Sequence, residues 1–142
     1  MKRIEILMSA YNGDKFIEEQ IESIMRQRDV DVHLTIRDDG SSDETVSVIK
    51  KLQVKYPNAI SVHVGENIGY RKSFLRLLDL AVDADYYGFA DQDDFWKKEK
   101  IFRAVECLEK EKLSIKLYVG SLKIVDSDMK EIADKDISGI PN

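Results

Sequence analysis

Residues 86–96, YYGFADQDDFW, join a short apolar run to three carboxylates that fall within four positions. An apolar run of this length with polar residues on both sides predicts a buried strand. Carboxylates this close repel one another unless a cation or hydrogen-bond donors stabilise their ionised form. Hard oxygen ligands suit Mg²⁺ or Mn²⁺, which bind through one or two carboxylates and complete their coordination with phosphate oxygens. The stretch therefore predicts a metal-held diphosphate at the carboxyl end of a strand, where open α/β sheets bind their ligands.

Strands and helices alternate along the rest of the chain. Apolar runs predict strands over residues 4–8, 32–36, 60–64 and 117–120, and a hairpin over 122–132. Helical spacing predicts helices over residues 14–27, around 46–52, over 74–82, packed deeply against the sheet, and over 98–112. Asp14 is placed to cap the first helix, and Ser41 or Ser42 the second. This alternation predicts an α/β fold with a doubly wound, mostly parallel sheet, as one domain over residues 1–142.

The composition excludes some partners and compartments. The chain has 142 residues and a formal net charge of −5, without a basic patch, which argues against a nucleic-acid partner. Cys107 is the single cysteine, so we expect a structural thiol in a reducing compartment. No signal peptide is recognisable, and no apolar stretch approaches the roughly 20 residues of a transmembrane helix. We therefore expect a cytoplasmic protein without a transmembrane segment, and peripheral attachment to the inner face of the membrane stays open.

Three loops that follow predicted strands are unusual in composition. They are residues 9–13 (SAYNG), 38–43 (DDGSSD) and 91–94 (DQDD). Because the carboxyl ends of parallel strands lie at one edge of a sheet, these loops should meet at one crevice. The sequence therefore predicts a single site built from all three.

These loops and residues 67–69 (NIG) resemble the family 2 glycosyltransferases of the GT-A fold. Residues 90–96 (ADQDDFW) are similar to the subgroup labelled rhamnosyltransferase-like, which is found in bacterial cell-surface polysaccharide synthesis. The resemblance implies an inverting, metal-dependent transfer of a sugar from a UDP- or dTDP-linked donor to a hydroxyl of a glycan or lipid-linked acceptor. It places the catalytic base beyond Asn142, so the chain would be the donor-binding part of a truncated domain. The alternative is a non-catalytic module that binds nucleotide sugars.

The acidic loop supplies the implied metal ligands. Alternate residues of an extended segment face the same way, so Asp91 and Asp93 can reach one site. The resemblance assigns Asp91 to the ribose and the metal, and Asp93 to the divalent cation, Mn²⁺ or Mg²⁺, that bridges the donor diphosphate. The alternative is a solvated acidic turn that caps the next helix, a role that Asp94 could fill. Residues 126–128 (DSD) repeat the pattern in the predicted hairpin, and we interpret them as an ordinary turn.

The first two loops supply the implied nucleotide contacts. Asp38 and Asp39 end a strand and should point to opposite sides, so only one of them faces the crevice. The resemblance assigns Asp39 to the imide N–H of a uracil or thymine base and leaves Asp38 to bind backbone N–H groups of the loop. It places Tyr11 against the base with Ser9 beside it. The alternative for Tyr11 is a role in packing alone.

Residues 67–73 (NIGYRKS) are the one segment that could offer positive charge to the ligand. Gly69 allows a turn with positive φ. Lys72, with Arg71 as the alternative, would then face the nucleotide. A solvated helix face explains these charges equally well, and this alternative stays open. His33 lies in a predicted strand away from the loops and is expected to be structural.

Overall fold

The structure is a computed structural model, and it describes residues 1–110, 122–125 and 131–135. The chain divides into two compact units, Met1–Lys100 and Ile101–Asn142. All predicted site residues belong to the first unit. The prediction of one domain over residues 1–142 stays a prediction. No helix within the described ranges is long and apolar enough to cross a lipid bilayer.

Strands and helices alternate through the first unit as the apolar pattern predicts. The strands are β1 Arg3–Ala10, β2 Asp31–Asp39, β3 Ile60–Gly65 and β4 Tyr86–Ala90. The helices between them are α1 Ile17–Met25, α2 Thr45–Lys55 and α3 Tyr70–Leu80. The strands form one sheet in the order β3-β2-β1-β4, and every neighbouring pair is parallel. The predicted α/β fold with a mostly parallel sheet is therefore confirmed.

The strand order places helices on both faces of the sheet. From β1 the chain steps outward to β2 and β3, and it then crosses back to β4 on the other side of β1. Because crossovers between parallel strands are right-handed, this reversal moves the connecting helix to the opposite face. α3 accordingly lies against β1 and β2 on one face, and α1 and α2, which pack together, cover the other.

The two faces of the central strands differ in polarity. The face under α1 and α2 carries side chains that are apolar and buried, namely Ile6, Met8, Leu34 and Ile36. The face under α3 carries the apolar side chain of Leu7 and side chains that are polar and also buried, namely Glu5, Thr35, Arg37 and Asp39. Among the described residues, every buried side-chain nitrogen and oxygen has a hydrogen-bond partner. The sheet therefore combines an apolar core on one face with a fully bonded polar layer on the other.

The carboxylate of Glu5 is the centre of this polar layer at the amino-terminal half of the sheet. It is fully buried. His33 Nδ1 lies 2.7 Å from its Oε1, and its Oε2 accepts the Thr35 hydroxyl at 3.0 Å and the Val82 N–H at 2.6 Å. Ser61 Oγ lies 3.1 Å from His33 Nε2. The structural role predicted for His33 fits these contacts.

The predicted cap of the first helix is wrong. Phe16 occupies the N-cap position of α1, and no side chain caps this helix. The carboxylate of Asp14 instead accepts the Glu44 N–H at 3.3 Å, just before α2. The loop after β1 therefore supports the start of the next helix along the sheet, and this contact is invisible to a local sequence pattern.

The predicted cap of the second helix is also wrong. Asp43 Oδ1 accepts the Thr45 N–H at 3.0 Å, at the start of α2. The hydroxyl of Ser41 donates to Asp38 Oδ1 at 2.6 Å, and the N–H of Ser42 donates to Asn12 Oδ1 at 2.9 Å. Both serines therefore belong to the contacts that hold the loops together.

The helix predicted over residues 74–82 and the strand before the acidic loop are less buried than expected. α3 begins at Tyr70, and its Leu75 and Leu78 are 62% and 52% exposed. In β4, Tyr87 and Phe89 are 52% and 57% exposed. α3 lies over β1 and β2, and β4 is the last strand of this sheet among the described residues. Phe74 of α3 contacts Phe89 edge-to-face, with ring centroids 5.7 Å apart, so α3 covers β4 only in part.

The second unit holds fewer described residues. α4 spans Lys100–Glu109, and β5 Leu122–Val125 pairs antiparallel with β6 Glu131–Lys135, in agreement with the predicted hairpin. Cys107 on α4 is exposed, which is contrary to the structural thiol that we expected. The strand predicted over residues 117–120 and the turn over 126–128 lie outside the described residues.

We expect Glu5→Ala to destabilise the protein strongly, because it leaves His33, the Thr35 hydroxyl and the Val82 N–H without their buried partner. The loss in the free energy of unfolding should be about 3 kcal/mol. Urea denaturation followed by circular dichroism measures it. Glu18→Ala, at an exposed position of α1, is the matched control and should cost less than about 0.5 kcal/mol. Equal losses from both variants would contradict a central role for Glu5.

Candidate functional site

The reversal of the crossovers leaves a crevice between the carboxyl ends of β1 and β4. Open α/β sheets bind their ligands at such a switch point. An open cavity of about 470 Å³ lies there, within the ~300–1,000 Å³ typical of small-molecule sites. Its lining comes from the ends of β1, β2 and β4 and from the start of α3, through Ser9, Tyr11, Asp39, Asn67, Gly69, Tyr70, Asp91, Gln92 and Asp93.

All the predicted site residues except Lys72 line this cavity. They are Ser9, Tyr11, Asp39, Asp91 and Asp93. Lys72 is exposed in the first turn of α3 and is not among the residues that line the cavity. The structure thus brings the three predicted loops together. The roles that we assigned to their residues stay predictions.

The side chain of Gln92 ties the acidic loop to the loop after β1. Its Oε1 accepts the Tyr11 N–H at 2.9 Å, and its Nε2 donates to the Tyr11 carbonyl oxygen at 2.9 Å. Gly13 leaves room for this amide, because a Cβ at Gly13 would lie 2.3 Å from Gln92 Oε1. The two bonds fix the backbone of Tyr11 relative to Asp91 and Asp93.

Asp91 is held from two sides. The Tyr70 hydroxyl donates to its Oδ1 at 3.0 Å, and Gln20 Nε2 donates to its carbonyl oxygen at 2.8 Å. Gln20 is fully buried in α1, so it anchors the backbone of the acidic loop to that helix. Desolvation raises the pKa of Tyr70, and the hydrogen bond to Asp91 and its negative charge raise it further. The hydroxyl therefore stays protonated and keeps donating.

Negative charge accumulates at the acidic loop. Burial raises the pKa of the Asp94 carboxyl, and the charges of Asp91 and Asp93 raise it further, against the opposing charge of Lys100. No lysine or arginine of the described residues forms an ion pair with Asp91 or Asp93. Those residues also contain no cluster of three or more metal-binding side chains. The donor set is thus two carboxylates, which fits a Mg²⁺ or Mn²⁺ ion completed by phosphate oxygens and water.

Asp39 lines the cavity but is only 3% exposed, and three donors hold its carboxylate. Its Oδ1 accepts from Arg37 Nη1 and from the Ile68 N–H, both at 2.8 Å, and its Oδ2 accepts the Gly69 N–H at 3.1 Å. Burial raises the pKa of Asp39, but the hydrogen bonds from Ile68, Arg37 and Gly69 and the Arg37 charge hold it below its usual value. A carboxylate offers about four acceptor positions, so Asp39 keeps room for one further donor.

Two local predictions about these loops are confirmed. Asp38 is fully buried, and its carboxylate accepts the Ser41 N–H at 2.9 Å and the Ser41 hydroxyl at 2.6 Å. It therefore holds its own loop, as expected. Gly69 adopts a φ of 91° before α3, which is a conformation that favours glycine.

The residues that the sequence analysis missed act by holding other residues in place. Gln20, Tyr70 and Gln92 have partners more than 20 positions away, so only the tertiary fold pairs them. Arg37 did leave a signal, because it stands between the strand predicted over residues 32–36 and Asp38. An arginine that is buried needs a partner for its charge, and the neighbouring aspartates were the obvious ones.

The sheet order and the crevice at the switch point agree with the GT-A fold, which the solved structures that match this chain show. Residues 1–349 of S. aureus TarS in complex with UDP match with a TM-score of 0.66 at 24% identity, over 78% of this chain and 32% of that chain. The mannosyltransferase PcManGT from Pyrobaculum calidifontis, in complex with GDP-Man and Mn²⁺, matches with a TM-score of 0.64 at 20% identity, over 75% of this chain and 32% of that chain. At these identities the similarity concerns the fold alone.

The family follows from the sequence. The family model for Glycosyl transferase family 2 matches residues 5–131, and the chain belongs to that family. The dTDP-rhamnosyl transferase RfbG of Shigella flexneri is 43% identical to it over 105 residues. That match covers 71% of this chain and 36% of RfbG, so the chain spans about a third of the length of this relative. The predicted resemblance to family 2 and to rhamnosyltransferases is confirmed.

We expect Gln92→Ala to free the backbone of Tyr11, because both polar groups of this peptide segment lose their partner. The Tyr11 amide should exchange with deuterium about ten-fold faster, which corresponds to one lost hydrogen bond. Hydrogen exchange measured by NMR gives the rate. Gln53→Ala removes a comparable bond to the Ile60 carbonyl oxygen and should leave Tyr11 unchanged. A Tyr11 amide that exchanges at the wild-type rate in Gln92→Ala would contradict this role.

Proposed function

We propose that this chain binds a pyrimidine nucleotide-diphosphate sugar, as the donor-binding part of a metal-dependent, inverting glycosyltransferase in cell-surface polysaccharide synthesis. The observation that carries the proposal is the gathering of Tyr11, Asp39, Asp91 and Asp93 around one cavity at the switch point of the sheet. An aromatic ring, a buried acceptor and two carboxylates without a cationic partner among the described residues suit the three parts of such a donor: base, ribose and diphosphate.

The base would bind between the first two loops. Asp39 has one acceptor position left beside its three internal bonds. It would accept the imide N–H of uracil or thymine there, while the ring of Tyr11, which is 46% exposed, packs against the base. Ser9 lines the same wall of the cavity. A carboxylate cannot donate, so it favours a base that presents an N–H at this point.

The diphosphate would bind at the acidic loop with Mg²⁺ or Mn²⁺. Asp93 and Asp91 would hold the cation, and Asp91 would also face the ribose. When bound, such an ion stabilises the negative charge that develops on the leaving diphosphate. Asp93 makes no hydrogen bond or ion pair with any of the described residues, so its charge is available to the ion. Lys72 would contribute to the phosphates only if its side chain reaches the cavity from the exposed face of α3.

The reaction of the whole protein would be a single displacement with inversion at the anomeric carbon. The acceptor oxygen forms a bond to that carbon as the bond to the diphosphate oxygen breaks, and the electron pair leaves with the diphosphate. A carboxylate base must take the acceptor proton. We place this base beyond Asn142 and assign it to no described residue. The acceptor would be a glycan or a lipid-linked saccharide.

The relatives support the donor class. RfbG is named a dTDP-rhamnosyl transferase, and TarS was solved with UDP, so both names contain a pyrimidine diphosphate. PcManGT was solved with GDP-Man and Mn²⁺, which supports a divalent cation. The short span of the chain relative to RfbG favours donor binding without sugar transfer for these 142 residues alone. A non-catalytic nucleotide-sugar-binding module is therefore the second candidate for the chain by itself.

We expect UDP or dTDP to bind in the presence of Mn²⁺ or Mg²⁺ and at least ten-fold more weakly with EDTA, because the phosphates would otherwise meet uncompensated carboxylates. Isothermal titration calorimetry measures both affinities. Asp93→Ala should remove the effect of the metal. Asp128→Ala changes the second D-x-D copy of the sequence and should leave it intact. Equal affinity in EDTA would remove the metal from this proposal, and equal losses in the two variants would mean that the site is misplaced.

We expect Asp39→Ala to weaken UDP binding about ten-fold or more, because the imide N–H loses its acceptor at a cost of roughly 1–3 kcal/mol. This variant should also melt earlier, since Asp39 holds the Ile68 and Gly69 amides. UDP methylated at N3 lacks the imide N–H and separates the two effects. Wild type should prefer UDP over the methylated nucleotide, and Asp39→Ala should bind both equally.

Asp38→Ala is the matched control for this prediction. It removes the bonds to Ser41, so it should lower the melting temperature and keep the preference for UDP over the methylated nucleotide. If Asp38→Ala lost that preference while Asp39→Ala kept it, the assignment of the two aspartates would be reversed.

A further inference from the structure

The guanidinium of Arg37 is buried beside the cavity and takes no direct part in lining it. Arg37 is 7% exposed. Its Nη1 donates to Asp39 Oδ1 at 2.8 Å and to Ser73 Oγ at 3.0 Å, and its Nη2 donates to the Glu66 carbonyl oxygen at 3.0 Å. A Cβ at Gly65 would lie 2.3 Å from Nη2, so the guanidinium occupies the space that this glycine leaves free.

These bonds close a ring around the loop of residues 66–69. Arg37 holds the loop at its start through the Glu66 carbonyl oxygen, and Asp39 holds it at its end through the Ile68 and Gly69 N–H groups. Arg37 and Asp39 are themselves paired. This loop forms one wall of the cavity. Its conformation is therefore fixed by two charged side chains from the carboxyl end of β2.

The same guanidinium also reaches the first strand. The Ser9 hydroxyl donates to Ser73 Oγ at 2.6 Å, and Ser73 Oγ accepts from Arg37 as well. Ser73 is fully buried in α3, while Ser9 lines the cavity. Arg37 thus links β1, β2, the loop before α3, and α3 through one planar group, which offers several donors in a rigid arrangement.

We propose that Arg37 is the positioning residue for nucleotide recognition: it fixes the Asp39 carboxylate and the Glu66–Gly69 loop together, so that the base meets a preformed acceptor. This inference rests on the proposed function of the cavity. A carboxylate that must be reoriented or ionised when the ligand arrives would bind more weakly, because the cost of ordering it would be subtracted from the binding free energy.

The charges around Asp39 make a pH profile informative. Arg37 is the only charged side chain of the described residues that hydrogen-bonds or ion-pairs with Asp39. From the loop, Asp39 meets the N–H groups of Ile68 and Gly69, and across the cavity stand the carboxylates of Asp91 and Asp93. Loss of the Arg37 charge should therefore raise the pH at which Asp39 takes up a proton, and the base would lose its acceptor below that pH.

The test measures the affinity of the full chain for UDP with Mn²⁺, by calorimetry, between about pH 4 and pH 8, a range that spans the ordinary pKa of a carboxyl group. Affinities are expressed relative to wild type at each pH, so the titration of UDP itself cancels. Arg37→Met should bind about ten-fold more weakly at neutral pH. Its affinity relative to wild type should fall further as the pH decreases, because Asp39 without the Arg37 charge takes up a proton at a higher pH.

Arg37→Lys separates the charge from the geometry. An ammonium keeps the charge but cannot reproduce the planar fork that bonds Asp39, Ser73 and Glu66 at once. This variant should therefore bind several-fold more weakly than wild type, by the same factor at every pH. Arg76→Met, at an exposed position of α3, is the matched control and should change neither quantity.

A folded Arg37→Met variant with wild-type affinity and pH profile would overturn the proposal. If Arg37→Met does not fold, Arg37→Lys decides, and wild-type affinity in that variant would overturn the proposal equally. Failure of wild type to bind UDP with Mn²⁺ is a different result, because it would contradict the proposed function of the cavity rather than the role of Arg37.

Discussion

The position of β1 between β2 and β4 is the constraint on which the site depends. The chain leaves β1 on one side to build β2 and β3, and it returns on the other side to build β4. The strand order reverses between β1 and β4, and such a switch point leaves a gap at the carboxyl ends of the two strands. Gln92 bridges this gap to Tyr11 over 81 positions of sequence. The topology of the strands, rather than any single motif, thus brings the carboxylates and the aromatic ring together.

The alternation of strands and helices could be predicted from the sequence because the local spacing of apolar residues determines each element. β3 spans Ile60–Gly65 where we predicted residues 60–64, and the three polar loops meet where the ends of parallel strands must meet. The family could be recognised from the same loops, since their unusual residues stand close together in the sequence. Predictions of this kind succeed where the signal and its cause lie within a few residues.

Predictions failed where one loop supports another. Asp14 was expected to cap its own helix, yet its carboxylate accepts the Glu44 N–H some 30 positions away. Leu75 and Leu78 were expected to be buried, because an apolar helix normally packs on both sides. They are exposed, because α3 turns Ser73 and Leu77 toward the sheet instead. Such outcomes depend on which elements become neighbours, and no local pattern contains that information.

The bonds around the cavity divide its carboxylates into two kinds. Asp39 is buried and bonded by three internal donors, so its ionised form is already stabilised before a ligand arrives. Asp93 is exposed and has no partner among the described residues, so its charge is stabilised only by water. A ligand gains little by compensating the first and much by compensating the second. Under the proposed function, this difference suits a neutral N–H of the base at Asp39, whose charge is already stabilised, and a divalent cation at Asp93, whose charge has no partner among the described residues.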